Sequence, residues 1–182
     1  MLTLVHNHPD WIIVNKPAGV SMQQEQGQPD ALSLLPLALA AAQKTDANLQ
    51  RLWPVHRLDK ATSGLVIFAK SAEAAAQFGE LFANQKITKQ YIALAQGKPK
   101  KKQGLISGDM LKARRGSWKL APSSDNPART QFFSHGLGGG LRVFLLRPLT
   151  GKTHQLRVAL KSIGAPILGD SRYAGAVAER GL

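Results

Sequence analysis

One short segment places an acidic side chain among cations directly before an apolar stretch. In residues 55–64, Val-His-Arg-Leu-Asp-Lys-Ala-Thr-Ser-Gly, Asp59 is flanked by Arg57 and Lys60. Neighbouring positive charges favour the ionised form of a carboxylate. An ionised carboxylate on a rigid element can serve as a nucleophile or as a general base. A salt-bridged cluster on the surface would use the same residue types, so local spacing alone leaves both interpretations open.

A second polar segment carries a potential partner for this acid. Residues 149–157 read Leu-Thr-Gly-Lys-Thr-His-Gln-Leu-Arg, in which Gly151 favours a turn and the following residues begin a predicted helix. Such a helix start attracts anions. If this segment faces Asp59, Arg157 can pair with the carboxylate and keep it charged. Sequence spacing does not by itself bring the two together.

Several other motifs fail on inspection. Residues 146–153 nearly match a phosphate-binding loop, but Leu146 occupies the first glycine position, and only a glycine-rich loop lets backbone amides wrap a phosphate. His6 and His8 form an H-x-H pair, and two loop histidines are a weak metal signal. The chain contains no cysteine, which excludes disulfides and thiolate metal sites. We therefore expect neither nucleotide-driven chemistry nor a metal.

The charge balance points to a polyanionic partner. The 182 residues include 24 Lys and Arg against 11 Asp and Glu, which gives a formal charge of +13. From Lys86 to Lys119 there are ten basic residues, and the only acid is Asp109. A field this positive attracts polyanions and steers their approach. Nucleic acid is the favoured partner, and a solvated basic face kept for solubility is the alternative.

Length and composition favour a single globular domain over residues 1–182. The hydrophobic fraction is 43% and the charged fraction 19%, values typical of folded proteins. The longest apolar stretch, residues 34–42, contains Pro36 and is far shorter than the ~20 residues of a membrane span. The first ten residues lack the features of a signal peptide. A soluble, cytoplasmic monomer is the simplest expectation.

Hydrophobic periodicity predicts the elements that must hold these segments. Strands are predicted at residues 11–14, 64–69, 90–95 and 141–146, and helices at 31–43, 72–84 and 154–162. Asp30 and Ser71 are suited to capping the first two helices, and Gly164 to ending the third. Residues 105–135 read as short strands and turns, and 136–140 as a hairpin tip. The pattern predicts an α+β fold, with a mixed, mostly antiparallel central sheet and flanking helices.

Six blocks along the chain resemble the RluA-type RNA pseudouridine synthases. Residues 56–64 resemble the family signature H-R-L-D-x-x-T-S-G, and residues 151–157 resemble G-R-x-H-Q-[IL]-R. The other four blocks are similar to N-K-P-x-G at 15–19, K-x-Y-x-A at 89–93, A-x-T at 128–130 and P-I-L-G-D-x-x-Y at 166–173. The blocks keep the family's order over nearly the whole chain, which argues strongly against a chance resemblance.

The resemblance implies an enzyme that isomerises uridine to pseudouridine in ribosomal or transfer RNA, without cofactor, metal or nucleotide energy. It implies that Asp59 is the catalytic aspartate, that Tyr91 stacks on the flipped-out target base, and that Arg157 pairs with Asp59. It also implies the pseudouridine synthase fold, with RNA-binding loops around a central sheet.

Further substrate contacts are expected beside these residues. We expect Arg57 to contact RNA near the flipped base, and Leu168 to form an apolar wall for uracil. Lys152 stands where the family has Arg, which keeps the charge of a phosphate contact but loses its bidentate geometry. The remaining phosphate contacts are expected from basic loops, through Lys100, Lys101, Lys102, Arg114 and Arg115. His56 and His154 are expected to be structural hydrogen-bonding residues.

The two ends depart from longer members of the family. Such members usually continue after the Tyr173 block with an R-L-x-L-H-A-like strand and a hairpin, whereas this sequence stops at Leu182. We expect either a shortened member or a chain that has been cut, with no S4-like domain before the catalytic region. Two alternatives to the synthase stay open: a non-catalytic RNA-binding relative, and an RNA-dependent hydrolase in which Asp59 activates water.

Overall fold

The structure, a computed structural model, describes residues 2–24 and 33–174. The chain divides into two compact units, residues 1–86 and 87–182, and each is described by itself. The expectation of one domain over residues 1–182 stays a prediction.

The first unit contains a four-stranded antiparallel sheet and two helices. Its elements in chain order are β1 (Thr3–Asn7), β2 (Trp11–Lys16), α1 (Leu34–Gln43), β3 (Trp53–Pro54), β4 (Gly64–Ala69) and α2 (Ala72–Ala83). The strand order in the sheet is β1-β2-β4-β3. Because side chains alternate between the two faces of a strand, Ile12, Val14 and Lys16 of β2 all point to the same side, and all three are fully buried. Val66 and Phe68 of β4 are also fully buried.

Both helices of this unit have a serine at the N-cap position, and the Ser71 side chain makes a capping hydrogen bond. The Ser71 hydroxyl oxygen accepts a hydrogen bond from the Ala74 amide at 3.1 Å, which confirms the predicted start of α2. Helix α1 begins at Leu34, with Ser33 at the N-cap position. The predicted cap Asp30 lies outside the described residues.

The second unit contains a five-stranded antiparallel sheet with helix α3 packed against it. Its elements are β5 (Tyr91–Gln96), β6 (Gln103–Lys112), β7 (Trp118–Ala121), β8 (Ala128–Gly138), β9 (Leu141–Pro148) and α3 (Gln155–Ser162). The strand order is β5-β9-β8-β6-β7, and a short 3₁₀ turn at Arg114–Gly116 joins β6 to β7. The core of this unit packs Phe132, Phe144 and Leu146 of the sheet against Leu160 of α3.

The central strands of this sheet are longer than the sequence pattern predicts. The pattern predicts short strands over residues 105–135, whereas β6 has 10 residues and β8 has 11. This prediction is wrong because glycines and polar residues interrupt the apolar alternation without ending the backbone pairing of β6 with β8. A Cβ at Gly108 would collide with the carbonyl oxygen of Ala121, so this glycine marks a close approach of two strands and not a turn.

The structure has both predicted turns near the end of the chain, although β8 continues to Gly138, into the predicted tip at 136–140. Strands β8 and β9 form a hairpin whose tip includes Gly139 and Gly140, both with positive φ. Helix α3 ends at Ser162, and Gly164 (φ 74°) follows at the predicted C′ position, where the amides of Gly164 and Ala165 donate to the carbonyl oxygens of Lys161 and Leu160, each at 3.0 Å. The predicted α+β class with a mostly antiparallel sheet is also confirmed. Within the described residues, no helix is long and apolar enough to cross a membrane.

Candidate active site

Asp59 lies in the connection between β3 and β4, within a hydrogen-bonded turn. The Thr62 amide donates to the Asp59 carbonyl oxygen at 3.0 Å. Leu58 is buried and anchors the segment in the core of the first unit, while Asp59 itself is half-buried and Arg57 is exposed. The turn therefore presents a carboxylate from a segment that is fixed on one side by apolar packing.

The buried amine of Lys16 is hydrogen-bonded to the same turn. Lys16 Nζ donates to the carbonyl oxygens of Lys60 at 3.1 Å and Pro17 at 3.0 Å. The Lys60 carbonyl oxygen also accepts from the Gly19 amide at 2.8 Å. Two of the motif blocks found in the sequence, residues 15–19 and 56–64, are therefore joined at the residue that follows Asp59.

Lys16 and Asp59 are also coupled electrostatically. Burial lowers the pKa of Lys16 below its usual value, because removal from water disfavours the charged amine. The Asp59 carboxylate acts in the opposite direction and raises the pKa of Lys16. A positive charge on Lys16 therefore lies within the electric field of the acid.

His56 has the structural role that the sequence predicts. Its Nε2 accepts a hydrogen bond from the Ile67 amide of β4 at 3.0 Å, and its ring centroid lies 5.2 Å from that of Phe82. An accepting Nε2 carries no proton. This nitrogen is therefore committed to the edge of β4 and is not an acid.

Tyr91 begins β5 in the second unit. It is half-buried and packs against the core cluster of this unit. Burial lowers the pKa of Lys89, two residues earlier. A methyl group added at Gly151 would lie 3.9 Å from Lys89 Nζ, so the K-x-Y block and the turn before α3 are neighbours.

Arg157, in the first turn of α3, forms a bidentate ion pair with Asp170. The distances from Nε to Oδ2 and from Nη2 to Oδ1 are both 2.8 Å. The Asp170 side chain is 5% exposed and the Arg157 side chain 16% exposed. The guanidinium carbon also lies 4.9 Å from the centroid of the Tyr173 ring, within cation–π range. These contacts fix the orientation of the guanidinium.

The Asp170 carboxylate has further donors from its own loop. It accepts from the amides of Arg172 at 3.0 Å and Tyr173 at 3.2 Å. Burial acts to raise the pKa of this carboxyl, but the hydrogen bonds and charge of Arg157, together with the two amides, outweigh it and hold the pKa below its usual value. Asp170 is therefore ionised at neutral pH.

The buried side chain of Gln155 organises the turn that leads into α3. Its Oε1 accepts from the Thr150 hydroxyl at 2.8 Å and the Lys152 amide at 2.9 Å. Its Nε2 donates to the Arg129 carbonyl oxygen and the Thr130 hydroxyl oxygen, both at 3.0 Å. The amide thus makes all four hydrogen bonds available to it, and the turn is held rigidly against β8.

His154 supports the same region, as expected of a structural residue. Its Nδ1 lies 2.8 Å from Tyr173 Oη, and this oxygen accepts from the Trp118 amide at 3.0 Å. Burial raises the pKa of Tyr173, which keeps the hydroxyl protonated at neutral pH. The hydroxyl therefore links the start of α3 to strand β7.

The remaining predicted residues lie as follows. The Leu168 amide donates to the Leu94 carbonyl oxygen at 2.8 Å, which places this half-buried residue beside β5. Lys152 Nζ donates to Asn126 Oδ1 at 2.7 Å. The predicted loop cations are all exposed: Lys100, Lys101, Lys102, Arg114 and Arg115. Asp59 and Arg57 belong to the first unit, and the other predicted site residues belong to the second.

Sequence reasoning did not single out Lys16 or Asp170 as supporting residues. The available signal for Lys16 was its position two residues after Val14 on an alternating apolar strand, since lysine is rarely buried without partners. Asp170 lies in the P-I-L-G-D-x-x-Y block, but its pairing with Arg157, 13 residues away, has no local signal. Within residues 2–24 and 33–174, no three His, Asp or Glu side chains form a group that could hold a metal ion.

Comparison with known proteins identifies a family. The sequence matches the family model described as RNA pseudouridylate synthase over residues 10–162. It is 52% identical over 172 residues to a Haemophilus influenzae protein described as an uncharacterized RNA pseudouridine synthase, a match that covers 94% of this chain and 73% of that protein. It is 30% identical over 181 residues to the dual-specificity RNA pseudouridine synthase RluA of Escherichia coli, covering 95% and 77%. The match to ribosomal large subunit pseudouridine synthase C of Rickettsia bellii, 34% identical over 175 residues, covers 93% of this chain and 56% of that protein.

Solved structures agree with this result. Human RNA pseudouridylate synthase domain containing 4 is similar with a TM-score of 0.77 and 28% identity, over 95% of this chain and 69% of that chain. Human RNA pseudouridylate synthase domain containing 1 gives a TM-score of 0.75 and 27% identity, over 98% and 72%. These similarities confirm the predicted pseudouridine synthase fold. Since the family model covers most of the sequence and one relative shares half of its residues, the chain belongs to the RNA pseudouridylate synthase family, as an RluA-type member.

Proposed function

We propose that this chain isomerises a specific uridine to pseudouridine in structured ribosomal or transfer RNA, with Asp59 as the catalytic carboxylate. Family membership supports the reaction class. The observation that carries the assignment of Asp59 is its position on a turn whose next carbonyl oxygen accepts from the buried amine of Lys16. A reactive carboxylate must be held in one geometry, and a turn anchored in this way supports that requirement.

The reaction needs only groups that this chain can supply. The glycosidic N1–C1′ bond breaks, the uracil turns, and C5 bonds to C1′; C5 loses a proton and N1 gains one, so the product is an isomer. Asp59 either attacks C1′ as a nucleophile or removes a proton from the sugar, and both routes use an ionised carboxylate. Action in the cytoplasm, as a monomer and without cofactor or metal, is part of the proposal.

Binding of the target base is assigned to Tyr91 and Leu168. The uridine must leave its stack before it can react, at a cost of a few kcal/mol. Stacking on an aromatic ring returns ~1–3 kcal/mol per base, which is the role we assign to the half-buried ring of Tyr91. Leu168 supplies an apolar wall for uracil, and the exposed Arg57 contacts the RNA beside it.

The remaining cations are assigned to charge stabilisation and RNA binding. We assign Arg157 as the partner of Asp59, as the family resemblance implies. The bidentate contact with Asp170 uses Nε and Nη2 of Arg157 and fixes the orientation of its guanidinium, so the role at Asp59 rests on the family resemblance. Phosphate contacts are assigned to Lys152 and to the exposed loop cations Lys100, Lys101, Lys102, Arg114 and Arg115.

Pseudouridine mapping by carbodiimide labelling and primer extension tests the proposal. Unmodified ribosomal and transfer RNA transcripts are treated with the wild type, the Asp59→Asn variant, or the Asp10→Asn variant. Asp10 is a matched control, because its side chain is 69% exposed at the surface of the same unit. We expect stops at defined uridines with the wild type and Asp10→Asn, and none with Asp59→Asn, while all three proteins bind RNA with similar affinity.

Two other results would contradict the proposal. Release of free uracil in place of pseudouridine would indicate a hydrolase. Specific RNA binding by the folded wild type, without product on any transcript, would favour a non-catalytic RNA-binding relative.

A further inference from the structure

A cleft of about 470 Å³ lies in the second unit, between the β6–β7 hairpin and the turn before α3. This volume is in the range of small-ligand sites. The residues that line it include Trp118 of the hairpin, Asp125 and Asn126 of the loop after β7, and the Lys152 turn. Except for Lys152, none of these residues has a role in the function proposed above.

We propose that this cleft binds a second nucleotide of the substrate RNA, one whose base carries an exocyclic amino group. The identity of the substrate as RNA rests on the proposed function. The location of the cleft, its chemistry and the preference for an amino group rest on the residues that line it.

The apolar wall of the cleft is suited to stacking. The Trp118 amide donates to Tyr173 Oη at 3.0 Å, and Trp118 pairs with Lys112 across the hairpin, so the backbone that carries the indole is fixed. The residue is half-buried, and Met110 contributes a further apolar surface to the same cleft. A partly exposed indole on a fixed strand can stack on a base without first losing conformational freedom.

Acidic residues among those that line the cleft can accept hydrogen bonds from a base. The Asp109 carboxylate accepts from the amides of Asp125 at 3.1 Å and Asn126 at 2.9 Å, which holds this loop in place. Asp125 lines the cleft and is exposed, and its carboxylate can only accept hydrogen bonds. Cytosine offers the N4 amino group to such an acceptor, whereas uracil offers the O4 carbonyl at the same position, where two acceptors would repel.

Positive charge fixes the direction of the nucleotide. Lys152 Nζ is oriented by Asn126 Oδ1 at 2.7 Å, and the side chains of Lys112 and Arg114 are exposed on the hairpin. Lys152 Nζ therefore lies beside the residues that Asp109 holds in place, and the carboxylates of Asp109 and Asp125 disfavour a phosphate there. We expect the phosphate towards the exposed cations Lys112 and Arg114 of the hairpin, with the base beside Trp118.

The test is a titration of the whole chain followed by NMR of the tryptophan indole N–H groups. The probes are CMP, UMP and ribose 5-phosphate, which share the phosphate and differ in the base. A Trp118→Phe variant assigns the Trp118 signal, while Trp11 and Trp53 in the first unit serve as internal controls. We expect CMP to shift the Trp118 signal saturably, UMP to bind about threefold or more weakly, and ribose 5-phosphate to leave this signal unmoved.

Two variants separate the stacking contact from the amino contact. We expect Trp118→Leu to weaken CMP binding about tenfold or more, measured on the Asn126 side-chain amide. We expect Asp125→Asn, a change at an exposed position, to bring the affinities for CMP and UMP within a factor of about two. No saturable shift at Trp118, an equal shift with ribose 5-phosphate, or equal affinities for CMP and UMP in the wild type would each overturn the proposal.

The titration is independent of catalysis. It follows binding of mononucleotides, so the Asp59→Asn variant should give the same CMP affinity as the wild type. If CMP does not bind the cleft, the expected pattern of primer-extension stops is unaffected. If no pseudouridine is formed, the expected CMP titration is unaffected.

Discussion

The Arg157 guanidinium and the Asp170 carboxylate meet through two hydrogen bonds of 2.8 Å each. This pair joins the first turn of α3 to the segment after the helix, which also pairs with β5 through a bridge between Ala95 and Ile167. The pair is almost enclosed, so its strength depends on the charge of both partners and is little screened by water. Its loss should therefore be measurable as stability and as a change in pH dependence.

Replacement of Asp170 by Asn should lower the free energy of unfolding by about 2 kcal/mol at pH 7, because hydrogen bonds to charged groups are lost from a buried site. The folded pKa of Asp170 lies below its unfolded value of about 3.9. The stabilisation is therefore complete above pH 4 to 5 and is lost as the pH falls through the folded pKa. Urea unfolding of both proteins between about pH 2.5 and pH 8 measures this difference.

The exposed Asp10→Asn change provides the control for that series, since its unfolding curve should follow the wild type at neutral pH. A difference between wild type and Asp170→Asn that stays constant down to about pH 2.5 would contradict the ionic role of Asp170. It would indicate that shape alone matters at this position.

Replacement of Lys16 by Met should slow pseudouridine formation at least tenfold, while the affinity for RNA changes by less than about twofold. Lys16 is fully buried, so its removal should not change the surface that binds RNA. Its amine donates to the carbonyl oxygen of Lys60, the residue after Asp59. A displacement of a reactive group by about 1 Å can lower the reaction rate by a factor of about 100. Single-turnover assays with excess enzyme separate the rate from binding. Lys44→Met, at an exposed position of the same unit and outside the basic stretch 86–119, should leave both unchanged.

The same variant tests the charge of Lys16. Burial holds the folded pKa of this amine below the usual value of 10.5, so the folded state gives up the proton first as the pH rises. The wild type should therefore gain stability relative to Lys16→Met as the pH rises from 7 towards 10.5. If the free energies of unfolding of the wild type and Lys16→Met instead change in parallel over this range, burial does not lower the pKa of Lys16.

Sequence reasoning is most successful where the determinants are local. Strand β4 coincides with the predicted residues 64–69, and the end of α3 before Gly164 follows the prediction, because apolar runs and a positive-φ glycine act over a few neighbouring residues. The lengths of β6 and β8 could not be predicted in this way. Backbone pairing between the two strands carries them through positions such as Gly108, where the requirement comes from the neighbouring strand.

The candidate site shows the same division. The motif blocks single out Asp59, Tyr91 and Arg157, but the supporting contacts of Lys16 and Asp170 depend on distant partners. Lys16 donates to the carbonyl oxygen of Lys60, 44 residues away, and the types of the two residues do not predict this contact. Fixed geometry of this kind is a property of the folded chain, so it becomes visible only in the structure.

Replacement of Lys100, Lys101 and Lys102 by Ala should weaken RNA binding to a similar degree for every transcript. These exposed cations are expected to contact phosphates, and each lost contact should reduce the slope of log K against log salt by about 0.7 to 0.9, or by about 2.1 to 2.7 for all three. The fold should persist, because the base of the loop is held by bonds from the Ser134 amide and hydroxyl to the Lys102 carbonyl oxygen. Filter binding over a range of salt concentrations provides the slope.

A triple change of the same lysines to Arg is the matched control, since it keeps the charge and should keep the salt slope. If the Ala variant instead loses binding to one transcript only, with an unchanged slope, these lysines act in sequence recognition and the phosphate assignment is wrong.

Replacement of Tyr91 by Leu should slow pseudouridine formation about 5- to 150-fold, the equivalent of one lost base–aromatic stack. Tyr91→Phe keeps the aromatic face and should stay within about threefold of the wild type. A double-mutant cycle with RNA that lacks the base at the target position separates stacking on the base from packing of Tyr91 within the protein. This RNA should bind the wild type and Tyr91→Leu with equal affinity. Since Tyr91 also packs against the core of its unit, unfolding curves are needed alongside. Equal losses for Phe and Leu would assign the role to the hydroxyl group and not to the ring.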